Sequence, residues 1–326
     1  MTSALAMVHF QLTTDCNLRC FFCGQRHSAQ PSPVDWFALL EELAEYAPGC
    51  RVVLWGGEPL LYPGFDALCR RARAMGFPLE LITNGTLIGE HPAVLRECFE
   101  RIYVSVDGPE RVHDAVRGRG VFASVRRNLE LLRGGGARVA IMTVLAPETL
   151  ASCGEAPWGL AADGVIFHEL IGFTAEERRT VPGAEDWPEV SPDYGERLRT
   201  ALAGLKERVF PVPTEFQPHF AGGAACREPW RHLHICADGE TSFCTDFTRE
   251  SLGNVTRESI REIFAGVRAA RFRERGETPF CAHCSWKNTA ATIVRFASSP
   301  AAGEGKFTAR KCSVSADAAH SRSDTD

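Results

Sequence analysis

Val8-His9-Phe10-Gln11-Leu12-Thr13 runs through Thr14 into Asp15-Cys16-Asn17-Leu18-Arg19-Cys20-Phe21-Phe22-Cys23-Gly24. The first six residues read as a β-strand that delivers the chain into a cysteine loop. The cysteines are spaced C-x3-C-x2-C. Three thiolates this close can wrap a loop around three corners of a [4Fe–4S] cluster. No fourth thiolate is present in the run, which leaves one iron open to a ligand from outside the protein. The same vacancy separates catalytic from structural metal sites. A zinc loop, or three unrelated thiols, is the plain alternative.

The segments that follow repeat the pattern of strand, polar turn and helix. Phe37, Leu40, Leu43 and Ala44 give residues 34–46 a helical period. Strands are expected at 51–55, 79–83, 102–106, 138–144 and 164–170, and helices at 65–75, 92–100 and 122–133. The last of these helices stops at Gly134-Gly135-Gly136. Strands separated by helices imply parallel pairing with right-handed crossovers. Six such units predict an α/β fold, a partial (β/α)6 barrel of TIM type, with ligands at the C-terminal ends of its strands. Residues 173–192 read as a long loop, either a lid or plain surface, and 194–209 as a connecting helix. The expected domains are a barrel over 1–210, a small cysteine-rich domain over 211–296, and a disordered tail over 297–326.

Composition narrows the class. The chain has 326 residues, 44% hydrophobic and 24% charged, enough for one large and one small domain. A formal net charge of −5 argues against a nucleic-acid partner. No apolar run approaches the roughly 18 residues a membrane span needs, and the first residues lack the regions of a signal peptide. A cytoplasmic protein is expected. In that compartment thirteen cysteines point to metal or redox chemistry rather than to disulfides.

Further motifs fall at the strand ends. Gly56-Gly57-Glu58-Pro59 follows the second strand, Thr83-Asn84-Gly85 the third, and Ser105-Val106-Asp107-Gly108 the fourth. Glycines let backbone approach a ligand, and a carboxylate can accept bonds from an ammonium group. A turn alone is the plain alternative for the first. With the cysteine loop and its aromatic residue before the third cysteine, these segments resemble the radical S-adenosylmethionine (radical SAM) enzymes. In that family the open iron chelates the methionine end of the cofactor, and reductive cleavage yields a 5′-deoxyadenosyl radical. The resemblance implies that Gly57 and Glu58 meet the cofactor's amino group and that Thr83, Asn84 and Ser105 make ribose and carboxylate contacts. It also implies that Arg117, whose fork suits a carboxylate, reaches the methionine end. Phe22 either packs near the adenine or is simply core. His113 and Asp114 read best as a local capping pair.

A second set of cysteines follows. Cys226 and Cys244 flank Asp238-Gly239, a hairpin signal, and Cys281-Ala282-His283-Cys284 follows 36 residues after Cys244. Four thiolates in a core-poor segment read as one metal site holding the fold, and thiolate chemistry alone also allows a zinc ribbon. The pattern is similar to the SPASM/Twitch branch of the same family in its shortened form. That implies one auxiliary [4Fe–4S] cluster on Cys226, Cys244, Cys281 and Cys284. Of the remaining cysteines, Cys50, Cys69 and Cys98 read as small core residues. Cys153 could lie near the mouth, and Cys312 sits in the tail. Cys236, between two of the cluster ligands, is the candidate hydrogen-atom donor, with a buried strand residue or an alternative ligand as the plain readings.

The layout resembles that of aminoglycoside-pathway enzymes of the family. It implies a small sugar-like substrate, a flavodoxin or ferredoxin as electron donor, and epimerisation as the reaction, with a dehydrogenase or a peptide maturase as alternatives. A non-enzymatic zinc-ribbon module is disfavoured by the glycine–glutamate loop and the open-site triad.

Overall fold

The computed structural model describes residues 5–23, 31–170, 172–180, 188–206, 231–244, 250–275 and 293–295. Among the described residues ten strands form one sheet. Six alternate with helices: β1 Met7–Gln11, β2 Arg51–Trp55, β3 Leu79–Thr83, β4 Phe99–Ser105, β5 Arg138–Leu145 and β6 Gly164–Glu169. Between them lie α1 Trp36–Tyr46, α2 Phe65–Ala74, α3 Pro92–Cys98, α4 Glu110–Arg117 and α5 Val121–Leu132. Then come α6 Glu177–Thr180, α7 Tyr194–Lys206, β7 His232–Ile235, β8 Glu240–Ser242, β9 Gly253–Asn254, α8 Ile260–Ala265, α9 Val267–Arg275 and β10 Ile293–Arg295.

Strands β1 to β6 pair in parallel and in sequence order. Each crossover therefore steps the same way, and the helices collect on one face, as a partial barrel requires. The strand residues show this directly. Val8, Phe10, Val52, Leu54, Leu79, Leu81, Ile102, Val104, Val139 and Ile141 share one core with the helices, which contribute Trp36, Leu40, Leu68, Leu95, Val125 and others. The alternate positions, Ile82, Tyr103, Ala140, Met142 and Ile166, pack together on the opposite, inner face. The period-2 geometry of a strand enforces this division.

Local signals set the helices. Asp35 caps α1, accepting from the Phe37 and Ala38 amides, which is worth about 1 kcal/mol. Trp36, fully buried, then stacks at a tilt on Phe10, 4.9 Å away. Ser259 and Glu262 form a capping box on α8, and the Ile260 amide bonds to Glu42 of α1.

The expected strands at 51–55 and 79–83 match residue for residue. The helix expected over 92–100 ends at Cys98, because Phe99 already belongs to β4, so that strand begins three residues before Ile102. Helix α4 was not expected as an element. Within the expected 173–192 loop, α6 and a bridge between Phe173 and Glu189 are formed.

The sheet also crosses the expected domain boundary. Strand β7 pairs in parallel with β1, and β10 pairs antiparallel with β6. The hairpin β7–β8 forms around Asp238 and Gly239, with Gly239 at φ +87. Its left-handed backbone suits the turn. Residues 207–230, 245–249, 276–292 and 296–326 lie outside the described set, and with them Cys226, Cys281, Cys284, Cys312 and the expected tail.

Candidate active site

The site grows from the loop after β1. The Asp15 carboxylate accepts from the Cys16 amide at 2.9 Å, and the Cys16 sulfur accepts from the Leu18 amide at 3.4 Å. Arg19 folds back onto the Cys16 carbonyl and, at 2.7 Å, onto that of Leu18. These bonds turn the chain so that Cys16, Cys20 and Cys23 line one cavity of about 150 Å³. All three are free thiols, as are the six other described cysteines. Burial raises the Cys16 and Cys20 thiols above their ordinary range, and at Cys20 the Arg117 guanidinium partly offsets the rise. Among the described residues no three His, Cys, Asp or Glu side chains converge on a single ion. A cubane does not need that convergence, since each thiolate binds a different iron.

The cavity is also lined by Leu18, Phe22, Gly56, Gly57, Ile82, Thr83, Asn84, Ser105 and Arg117. Six of the seven residues expected to bind the cofactor therefore meet there. Gly56 and Gly57 are dictated by the cysteine loop itself. A Cβ at Gly56 would stand 2.4 Å from the Thr13 carbonyl oxygen, and one at Gly57 2.1 Å from that of Asp15. The Gly57 and Glu58 amides donate to these same two carbonyls at 2.8 and 2.7 Å. The glycines thus bring the β2 loop against the backbone of the cysteine loop as well as opening the cavity wall.

Glu58 stands behind the cavity wall. It is fully buried and is not among the residues that line the cavity. One oxygen accepts from the Thr83 hydroxyl at 2.7 Å and the Leu60 amide at 3.2 Å, and the other from the Asn84 amide at 2.8 Å. Its carboxylate ties the end of β2 to the end of β3. Burial pushes its pKa up to about 7, against the lowering by those donors.

Asn84 donates to Asn17 at 2.8 Å and weakly to the Cys16 sulfur at 3.9 Å. Arg117 is braced on three sides. Its Nε donates to Asp107 at 2.5 Å, Nη1 lies 3.8 Å from the Cys20 sulfur, and the guanidinium sits 5.4 Å from the Phe22 ring centroid. Phe22 is only partly buried: it packs against the core edge and also faces the cavity.

Asp107 is fully buried, and its sequence neighbours alone do not mark its role. Its second oxygen accepts from the Val144 amide at 2.9 Å, so it joins β4, α4 and β5 at the mouth. The capping expectation holds for Asp114, which accepts from the Gly120 and Phe122 amides at the start of α5. His113 instead accepts from the Asp107 amide at 3.2 Å. Burial and Arg117 push its pKa down to about 4, so it stays neutral.

Cys50, Cys69 and Cys98 are buried in the helix-side core as expected. Cys153 is buried too, its thiol 3.0 Å from the Leu150 carbonyl, and does not line the cavity. Cys236, also absent from the cavity lining, lies at the end of β7, and its amide donates to the Glu240 carbonyl at 2.8 Å. Leu233 and Ile235 face the helix-side core, so alternation turns His234 and Cys236 to the inner face. Burial, with Asp238 and Glu240 beside it, pushes the Cys236 thiol up to about 12. Of the four expected auxiliary ligands only Cys244 is described. It lies partly buried just past β8, its carbonyl accepting from Ser242 at 2.7 Å.

Residues 10–155 match the radical SAM superfamily, and residues 226–285 match the SPASM iron–sulfur cluster-binding domain, a span holding all four expected auxiliary cysteines. The chain thus carries a radical SAM domain and a SPASM domain. Its radical SAM domain covers the cysteine loop, the cavity and strands β1 to β5. Its cofactors are S-adenosylmethionine and [4Fe–4S] clusters, one in the radical SAM domain and one in the SPASM domain. Three free thiols on one cavity, with Arg117 beside them, fit the first cluster and its ligand.

This radical SAM chain is 30% identical to an AdoMet-dependent heme synthase of Oleidesulfovibrio alaskensis over 222 residues, 64% of this chain and 57% of that protein. It is also 30% identical to the mycofactocin maturase MftC of Mycobacterium ulcerans, over 58% of this chain and 52% of the relative. It thus spans a little over half the length of these relatives. Its fold is similar to that of Streptococcus suis SuiB bound to S-adenosylmethionine, with a TM-score of 0.57 at 16% identity over 88% of this chain and 72% of SuiB. Among the described residues no helix is long and apolar enough to cross a membrane.

Proposed function

We propose that this radical SAM enzyme inverts a hydrogen-bearing carbon of a sugar or aminocyclitol, with Cys236 returning the hydrogen. The observation that carries the reading is the place and state of Cys236. Strand β7 runs parallel to β1, with Phe10 opposite Ile235, so Cys236 stands at the same end of the sheet as the cysteine loop. The Ala237 amide donates to Gln11 at 3.0 Å and its carbonyl accepts from Ser32 at 2.6 Å, which pins the turn beside β1. The raised pKa keeps the sulfur as S–H at neutral pH, the form that gives up a hydrogen atom.

When bound, the cofactor supplies the radical that removes the substrate hydrogen. The chain's own step is the return. The Cys236 S–H bond breaks homolytically, the new C–H bond forms on the face nearer β7, and a sulfur radical remains. One proton and one electron restore the thiol. The electron comes from the one-electron donor protein, of flavodoxin or ferredoxin class. Arg117, Thr83, Asn84 and Ser105 orient the cofactor; Glu58 and Asp107 hold the loops that carry them.

The test is a product assay in D2O with the reconstituted holoenzyme and an aminocyclitol substrate. Inversion gives a product of unchanged skeleton carrying one deuterium. Cys236→Ala should still form 5′-deoxyadenosine while inverted product falls below about 1% of wild type. Inversion with deuterium in that variant would remove Cys236 from the role. A product lighter by two hydrogens would favour a dehydrogenase. The match to a mycofactocin maturase supports a second reading, action on a peptide.

A further inference from the structure

Below the cavity the inner face carries an unusual pair of nitrogens. Trp55 ends β2, directly before Gly56 and Gly57 of the cavity wall. Its ring is partly exposed, yet its Nε1 is buried and has no hydrogen-bond partner. Across β1, on β7, the Nδ1 of His234 is buried without a partner as well, and this side chain is 3% exposed. The two rings meet edge to face, 6.4 Å between centroids, and the His9 ring lies 4.1 Å from His234 on its other side. Ile82, which lines the cavity, follows Leu81, the partner of Leu54, and so continues the row on the neighbouring strand.

A buried polar group without a partner costs about 1–3 kcal/mol, and two side by side are uncommon in a native fold. Other orphaned nitrogens occur here, such as Trp36 Nε1 on the helix side and His113 Nε2 behind the mouth. Trp55 and His234, in ring contact on the inner face, are the pair among these whose chain runs straight on, through Trp55, into the cavity-lining Gly56 and Gly57.

We infer that Trp55 and His234 form a hydroxyl-binding subsite for an uncharged polyol face of the substrate. The indole N–H can only donate, whereas a neutral imidazole nitrogen donates or accepts according to its tautomer. A hydroxyl satisfies both, since it accepts from one partner and can donate to another. Charge is not what this wall recognises. The inner-face charges nearby, Arg51, Glu80 and Arg101, are spent on one another. Burial, with His232 beside it, keeps His234 unprotonated. The inference rests on the reading above only in taking this ligand to be the substrate.

The probe is myo-inositol, an uncharged cyclitol, added to anaerobically purified holoenzyme in the presence of S-adenosylmethionine. Calorimetry should show binding that weakens about tenfold in Trp55→Phe and in His234→Phe, with iron content as the check on folding. Crystals soaked in the probe should place its hydroxyl oxygens within about 3.2 Å of both nitrogens. Water or a protein group on those nitrogens in soaked crystals would overturn the inference. So would an affinity unchanged in Trp55→Phe, or no binding to wild type. The D2O assay scores inversion by Cys236 separately, so either idea can fail while the other stands.

Discussion

Glu80 on β3 and the pair Thr83-Asn84 at its end are three residues apart and live in opposite regimes. At the floor, the Glu80 carboxylate takes Arg101 at 2.5 Å and the Tyr103 hydroxyl at 3.2 Å, all three nearly sealed from solvent, and the partly exposed Arg51 at 3.0 Å. At the mouth, Thr83, Asn84, Ser105 and Arg117 face a cavity, held from behind by Glu58 and Asp107. The floor uses its polar groups up on each other. The mouth uses buried carboxylates as struts so that other polar groups stay presented. Floor polarity is structural, mouth polarity chemical, and the two should separate under mutation.

The sharpest separation comes from Cys16→Ala. Reconstituted protein should lose about four of about eight irons per chain, and 5′-deoxyadenosine formation should fall at least about a thousandfold, a barrier change of roughly 4 kcal/mol. Retention of full iron would break the assignment of the triad. Glu80→Gln makes the opposite cut. It removes the buried carboxylate that Arg101 and the partly exposed Arg51 share and should cost about 3–5 kcal/mol, lowering the melting temperature by about 10 °C. The folded fraction should cleave S-adenosylmethionine within about twofold of wild type, and a large loss there would mean that the floor reaches the chemistry.

Glu58 sharpens the comparison through pH. Its folded pKa of about 7 lies above the ordinary 4.5. Between those values the folded chain keeps a proton that the unfolded chain releases, so stability falls as pH rises across that window. The effect is up to about 3 kcal/mol. Denaturant melts at pH 5 and 7.5 should show this decline, and Glu58→Gln should flatten it. A slope identical in the variant would assign the decline to another group. The smallest effect is expected at Asp114→Ala, which removes a helix cap behind the mouth. About 1 kcal/mol of stability should go, and 5′-deoxyadenosine formation should not change.

Much of the mouth was legible in the sequence because local spacing carries it. Three cysteines within eight residues must share a loop, and an apolar run such as 51–55, bounded by a helix end and two glycines, has little choice but to be a strand. The strut role of Glu58 was not legible, because its partners Thr83 and Asn84 lie at the end of β3. A carboxylate's position in a motif does not say which strand end will surround it. Asp107 escaped notice for the same reason, since Arg117 and Val144 become its neighbours only when α4 and β5 fold back. Helix α4 is hard to read from sequence because it has only eight residues, mostly polar, with His113 and Val116 alone buried. The subsite of Trp55 and His234 joins residues 179 positions apart, a distance over which no local pattern carries information.

The pairing of β1 with β7 bears on how the chain is made. A bond such as that between Ala237 and Gln11 spans 226 residues. At common rates of synthesis, β1 waits about ten to forty-five seconds for that neighbour. Until then one whole edge of the sheet lies open beside the apolar Val8 and Phe10, a template for pairing with another nascent chain. Expression yield should therefore depend on translation speed and on chaperone supply. A chain cut before residue 232 would keep that edge exposed for good, even with every residue of the first cysteine loop in place.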